Sequence, residues 1–222
     1  MHIGLIGGIG PAATDFYYRG LINAMRKAGR DLQLTMAHAD APTLIQNLEN
    51  GRDDAQAQIY LELSERLVRA GAERLVITSI GGHFCIDAFR RISPIPIIEL
   101  ISSVDHYLRS HKFAKVGLLG TDTVMRSRFY GGLGSVDVAI PPAAEAEAVH
   151  GAYVSMAMEA KVTQAKRDIM FDAGRKLSAQ GAETILLGGT DLFLAFDGAS
   201  PGFPVTDCAQ VHIDAIAALA CS

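Results

Sequence analysis

The chain has 222 residues, 49% hydrophobic and 20% charged, with 24 acidic against 20 basic side chains and a formal net charge of −4. That length can bury one or two cores, and the acidic balance supplies no electrostatic footprint for nucleic acid. Trp is absent and aromatics make up 7%, which argues against a base- or sugar-stacking platform.

No apolar run approaches the roughly 18 residues of a membrane span. The glycine-rich start lacks the basic region of a signal peptide. Cys85, Cys208 and Cys221 have no metal-ligand spacing, and an odd number suits a reducing compartment. The expectation is a soluble, cytoplasmic protein with neither nucleic-acid nor membrane partners and no metal.

In chain order, short β-rich apolar runs alternate with helical stretches of a dozen residues or more. Strands are expected at 2–6, 32–37, 75–78 and 95–100, then at 115–119, 136–139, 184–187 and 203–205. A helix opens at Pro11, where a missing N–H costs nothing. The stretch 53–70 carries Ile59, Leu61, Leu63, Leu67 and Val68 toward one side of a surface helix. Residues 143–180 read as two helices with solvated charges, and 207–221 as a last amphipathic helix. Runs such as Leu75-Val76-Ile77 are continuously apolar, as strands covered by helices on both sheet faces should be. The expected class is α/β with parallel sheets.

The halves repeat. Gly71-Ala72-Glu73 and its following apolar run recur at Gly181-Ala182-Glu183, 110 residues later. Ile3-Gly4-Leu5-Ile6-Gly7 recurs as Val116-Gly117-Leu118-Leu119-Gly120, 113 residues later. Two matched segments at nearly one offset suggest duplicated, pseudo-symmetric domains. The expected division is 1–100 plus 206–222, with a returning C-terminal helix, against 101–205. Parallel α/β sheets take ligands at the carboxyl ends of their strands. Four loops rich in Gly, Ser and Thr fall there (7–11, 78–83, 120–123 and 188–191), which suggests a site between the domains.

Gly8-Ile9-Gly10-Pro11-Ala12-Ala13 fits a loose G-x-G-x-x-[GA] between a strand and a helix. A dinucleotide site also wants an acidic residue about 20 positions on, whereas Asp40 lies about 30 from Gly10 and Pro11 removes an N–H. Such a turn suits a smaller anion, such as a carboxylate, or no ligand at all. Ser79 and His83 stand four apart across a Gly-Gly turn, which allows a hydroxyl near an imidazole or a merely structural histidine. His38 and Asp40 end another strand, as functional or as edge residues. Cys85 reads as a small hydrophobe or a nucleophile.

The segment Gly4-Leu5-Ile6-Gly7-Gly8-Ile9-Gly10-Pro11-Ala12-Ala13-Thr14 closely resembles the opening of aspartate/glutamate (Asp/Glu/hydantoin) racemases. Gly117-Leu118-Leu119-Gly120-Thr121 through Phe129-Tyr130 resembles that family's G-L-L-x-T…F-Y segment. Gly188-Gly189-Thr190-Asp191 sits where the family has G-C-T-E, and Pro204-Val205-Thr206-Asp207 resembles its closing P-V-x-D. The resemblance implies two Rossmann-like domains with the active site in the cleft between them, no cofactor and a homodimer. It also implies a small carboxylate or amino acid, such as aspartate or glutamate, as substrate. Family members exchange the α-proton between two cysteines. In the first loop, roughly C-N-T-x-H, Ser79 takes the cysteine position and only His83 is kept. Gly189 takes the second, with no side chain, which enlarges the site.

On this resemblance His83 is the expected acid/base, assisted by Ser79, Thr190 and Asp191. The backbone N–H groups of Gly8, Gly10, Gly81, Thr121 and Thr190 would hold carboxylate oxygens, with Asp40 and Gly189 beside them. The alternative is a binding protein that keeps the site without racemase activity.

Overall fold

Apolar runs without polar alternation have nowhere to go but the middle of a helix-covered sheet, and Ile3, Leu5, Ile6, Leu118, Leu119, Ile185 and Leu186 are all fully buried. The computed structural model describes residues 1–221. The chain begins with β1 (His2–Gly7), α1 (Pro11–Lys27), β2 (Gln33–His38), α2 (Ala41–Glu49), α3 (Asp53–Arg69) and β3 (Arg74–Ile77). A single 3₁₀ turn (Gly81–His83) then leads to α4 (Ile86–Ile92) and α5 (Leu100–Ser110). The second half runs β4 (Lys115–Gly120), α6 (Asp122–Arg126), β5 (Asp137–Ala139), α7 (Ala143–Glu159) and α8 (Gln164–Ala179). It closes with β6 (Thr184–Gly188), α9 (Phe193–Phe196), β7 (Val205–Asp207) and α10 (Cys208–Cys221).

The strands form two sheets, β2-β1-β3 and β5-β4-β6-β7, parallel throughout. Contacts divide the chain into two compact units, one of Met1–Leu100 with the tail from His212, the other of Ile101–Val211. The second unit therefore reaches past residue 205, because β7 pairs with β6 and carries Thr206 and Asp207 into the second sheet. No helix among the described residues is long and apolar enough to cross a membrane.

The repeated Gly-Ala-Glu has a mechanical explanation. Gly71 and Gly181 adopt φ of 95° and 91° past the ends of α3 and α8, where a side chain would be strained. The next residue's N–H returns to the helix, from Ala72 to Leu67 O and from Ala182 to Leu177 O. The glutamate then grips the start of the central strand. Glu73 accepts from His2 N at 3.3 Å, and Glu183 accepts from Ala114 N and Lys115 N at 2.7 and 3.0 Å. Both units thus use one device to stop a helix and set the register of the strand beside it.

The fourth strand position shows where the duplication diverges. In the second sheet, Pro204 O accepts from Ile185 N and β7 continues the pairing. In the first, Pro96 O accepts from Leu75 N, Ile98 N donates back to Leu75 O, and the pairing ends in the single bridge Leu75–Ile97. The expected strand 95–100 is therefore absent. Pro94 and Pro96 lack N–H donors, and Leu100 already begins α5. The strand expected at 203–205 is observed as Val205–Asp207, after Pro204, which has no N–H and contributes only its carbonyl to Ile185 N.

In α3 the buried face is Ala57, Tyr60, Leu63, Ser64 and Leu67, while Val68 is exposed. Tyr60 sets that face, meeting Phe89 edge-on at 5.4 Å between ring centres. The tail returns to the first unit through His212, whose Nδ1 lies 2.8 Å from the Tyr17 hydroxyl and whose Nε2 lies 2.9 Å from Ile98 O.

Candidate functional site

In the first unit, β1 delivers the chain into a turn held by one side chain. Thr14 Oγ1 accepts from Gly8 N at 2.9 Å and donates to Gly10 O at 3.0 Å. The Gly8 N–H expected for a ligand carboxylate is thus engaged within the turn. Gly8 itself has φ of 98° and abuts the His38 ring. A cavity of about 410 Å³ opens beside this turn, lined by Gly8, Pro11, Thr14, Tyr18, Met36 and His38. Asp40 stands apart as the N-cap of α2, accepting from Thr43 N at 2.9 Å and Thr43 Oγ1 at 2.5 Å. These bonds hold its carboxyl below the usual range. Its placement is that of a solvent-exposed capping residue.

Ser79 and His83 are brought together at the end of β3, but through the main chain. His83 Nδ1 lies 2.7 Å from Ser79 O, and its Nε2 accepts from Leu100 N at 3.4 Å. A carbonyl only accepts, so the proton sits on Nδ1 and both nitrogens are used. The ring has no solvent exposure, and burial pushes its pKa down. This is the bonding of a structural histidine, and the acid/base role expected of His83 lacks a free nitrogen. The Ser79 hydroxyl accepts from Gly82 N at 3.2 Å. Gly82 O takes the Tyr60 hydroxyl at 3.1 Å, and Gly81 stays half-buried at the tip of the turn. Cys85 is buried and its thiol is pushed up to about 12, chiefly by desolvation, so it packs as a small apolar group.

In the second unit, Thr121 caps α6 by accepting from Val124 N at 3.3 Å. Thr190 and Asp191 follow β6 and are 2% and 3% exposed. Gly189 does not open the site as expected. A Cβ there would lie 2.5 Å from Tyr153 Cζ and 2.8 Å from the Tyr153 hydroxyl oxygen. The tyrosine from α7 already fills that volume and is deeply buried. Desolvation, with the Asp191 charge behind it, pushes the phenol well above its ordinary pKa. Tyr130 adds a smaller push in the same direction. It sits in a run of left-handed backbone, with φ of 49°, 61° and 57° at Arg128, Phe129 and Tyr130. Each such residue costs on the order of 1 kcal/mol.

Sequence reasoning missed Tyr153. The available signal was one large aromatic in an Ala-rich helix otherwise read as solvated. Thr14 was missed as well, and its position in the first turn of α1 was the clue.

Asp207, after β7, accepts from Ala209 N at 2.8 Å and caps α10. Burial pushes its carboxyl up to about 6. A raised carboxyl binds protons more tightly in the folded state, so it costs stability as pH rises through about 4 to 6. Solvent reaches part of this side chain, which reduces the cost to about 1–2 kcal/mol at pH 7. Asp207→Asn keeps the cap acceptor and is expected to stabilise the protein by that amount at pH 7 and by nothing at pH 3.5. Urea melts at the two pH values check this, and equal shifts at both would refute it.

Residues 6–216 match the profile of the Asp/Glu/Hydantoin racemase family. The fold superposes on a candidate Asp/Glu racemase from Yersinia pestis, 26% identical, with TM-score 0.88 and 100% of both chains covered. An aspartate racemase homologue from Pyrococcus horikoshii OT3 is also 26% identical, with TM-score 0.81 over 100% of this chain and 99% of that one. Aspartate racemase from Picrophilus torridus shares the fold at 16% identity and TM-score 0.74, over 98% of this chain and 95% of that one.

Proposed function

Because this chain belongs to the Asp/Glu/hydantoin racemase family, we propose that it holds a small carboxylate, aspartate, glutamate or a close relative, at the carboxyl ends of its strands without racemising it through paired thiols. The observation that carries this reading is His83, whose two ring nitrogens are both bonded to main chain. Two-base exchange at an α-carbon needs a proton acceptor on one face and a donor on the other, each with a pKa near the working pH. Ser79 offers an alcohol already accepting from Gly82 N, and Gly189 offers nothing. Supporting a binding reading are, within the first unit, the glycine turns after β1 and β3 and, within the second, buried Thr190 and Asp191 after β6.

A second reading keeps carbon-acid chemistry but confines it to one base. It is favoured by Asp191, a buried carboxylate at a strand end. Neither reading draws on a cofactor. A homodimer belongs to the proposal by family likeness, and light scattering checks it.

Proton NMR in D₂O with L- and D-aspartate, L- and D-glutamate and succinate separates the readings. The expected result is ligand line-broadening on addition of protein, with the α-proton signal undiminished overnight. Loss of that signal would refute the binding reading in favour of proton transfer. Chiral chromatography of the same sample would then show whether configuration inverts.

A further inference from the structure

We propose that a second cavity in the first unit, where the end of β2 meets α3, is a binding site for a free α-amino acid with an aliphatic side chain. This goes beyond the carboxylate reading above and does not depend on it. The cavity holds about 270 Å³ and is lined by Asp40, Gln56, Ile59, Glu62, Leu63 and Arg66 among others. Ligand pockets run to about 300–1,000 Å³, so its occupant must be small. The observation that points to a ligand is Gln56, a side chain only 1% exposed. Its Oε1 accepts from Asn47 Nδ2 at 3.0 Å, which ties α2 to α3. Its Nε2 donates to none of the described residues, yet that atom is not sealed from solvent. The one uncovered sliver of the side chain is therefore the amide nitrogen, and it meets the cavity. A buried donor left open costs free energy until an acceptor reaches it.

The other lining groups say what that acceptor belongs to. Arg66 and Glu62 stand four apart on α3, yet neither has an ion-pair partner among the described residues. Asp40 spends Oδ2 on Thr43 N and Thr43 Oγ1, and no described residue engages its Oδ1. A guanidinium fork beside an open amide N–H matches one carboxylate. The two free carboxylate groups, Glu62 and Asp40, match an ammonium. A dicarboxylate would bring a second anion to a cavity with no second permanent cation, whereas a zwitterion balances the set. Ile59 and Leu63 supply an apolar wall on the same face of α3, which suits an aliphatic side chain.

The test is calorimetric titration of the full chain with L-leucine, with 4-methylpentanoate, which lacks the ammonium, and with 3-methylbutylamine, which lacks the carboxylate. Leucine is expected to give a saturable isotherm with Kd of about 1 mM or tighter, and each analogue to bind at least tenfold more weakly. Arg66→Gln changes an exposed side chain and is expected to weaken leucine tenfold or more. Arg69→Gln, one turn on and outside the cavity, is expected to leave it unchanged. Circular dichroism confirms that both variants are folded. No saturable leucine binding, equal binding of either analogue, or wild-type affinity in Arg66→Gln would each overturn the site. Titration with L-aspartate and succinate keeps the two readings apart. Their binding without that of leucine would overturn this site alone, and leucine binding without theirs would overturn only the carboxylate reading.

Discussion

Acidification from pH 7 to pH 4 is expected to destabilise the first unit more than the second, because the first contains two buried neutral histidines. His212 has no solvent exposure, lies between the Tyr17 hydroxyl and Ile98 O, and has its pKa pushed down to about 3 by desolvation. A histidine depressed in the folded state leaves stability intact above about 6.5 and removes it as pH falls toward the folded value, since the unfolded chain takes up the proton first. At pH 4 the loss from His212 alone is about 3 kcal/mol. His83 shifts in the same direction and adds to it. The exposed capping carboxylates Asp40 and Glu183, held low by backbone and hydroxyl donors, also lose their contribution on acidification.

Asp207 opposes them, and its gain on protonation is limited to about 1–2 kcal/mol by solvent access. The histidines therefore win, and the net change between pH 7 and pH 4 is a loss. With Trp absent, far-UV circular dichroism in urea is the suitable probe. Asp207→Asn should steepen the acid loss by removing the opposing group, and His212→Gln should flatten it. A wild-type midpoint that is level from pH 7 to pH 4 would refute the argument.

Most of the fold was legible because its determinants are local. Continuous apolar runs, Pro11 at a helix start and the duplicated Gly-Ala-Glu all act within a few residues of where they stand. The duplication marked the Gly-Ala-Glu segment, while its grip on each central strand emerges only from the bonds of Glu73 and Glu183. The errors fell where pairing is decided by a partner far along the chain. Residues 95–100 have the composition of a strand, yet two prolines and the start of α5 leave one bridge. The strand expected at 203–205 begins only after Pro204, which lends the sheet a carbonyl and no N–H.

The strand-end loops of each unit were legible, and their chemistry much less so. Ser79 with His83, and Thr190 with Asp191, do sit at strand ends, as their Gly-rich surroundings suggested. What the one-dimensional pattern could not carry is which atom of each residue is already engaged. His83 looks the same in sequence whether its nitrogens face solvent or main chain. Gly189 reads as added space until the tyrosine 36 positions earlier is found to occupy it. At position 189 glycine reports a neighbour and not a vacancy, which only packing could tell.

Gly8→Ala is expected to be the most damaging single-methyl change in the first unit, by about 3 kcal/mol or more. Two costs combine. The backbone at Gly8 has φ of 98°, which an alanine reaches only with strain of about 1–2 kcal/mol. The new Cβ would also meet the His38 ring and the Ala39 carbonyl oxygen, the latter at 2.7 Å. His38 is exposed and its ring can swing away. Ala39 cannot, because its N–H donates to Gly7 O at 2.7 Å and anchors the end of β2 against β1.

Relief must therefore come from the Gly8 turn, which breaks the bond from Gly8 N to Thr14 Oγ1 and loosens the first turn of α1. Gly51→Ala is the control, since it has φ of 60° with nothing within 4 Å of its Cβ. It pays the backbone cost alone, about 1 kcal/mol. Urea denaturation of the two variants separates strain from collision. Adding His38→Ala to Gly8→Ala should recover little, because the backbone contact remains. Equal losses at Gly8 and Gly51, or full rescue by His38→Ala, would show that the turn yields without resistance. A ligand reaching this strand end would then meet a pliable loop. The bonding through Thr14 and Ala39 instead argues for a preformed one, set before any ligand arrives.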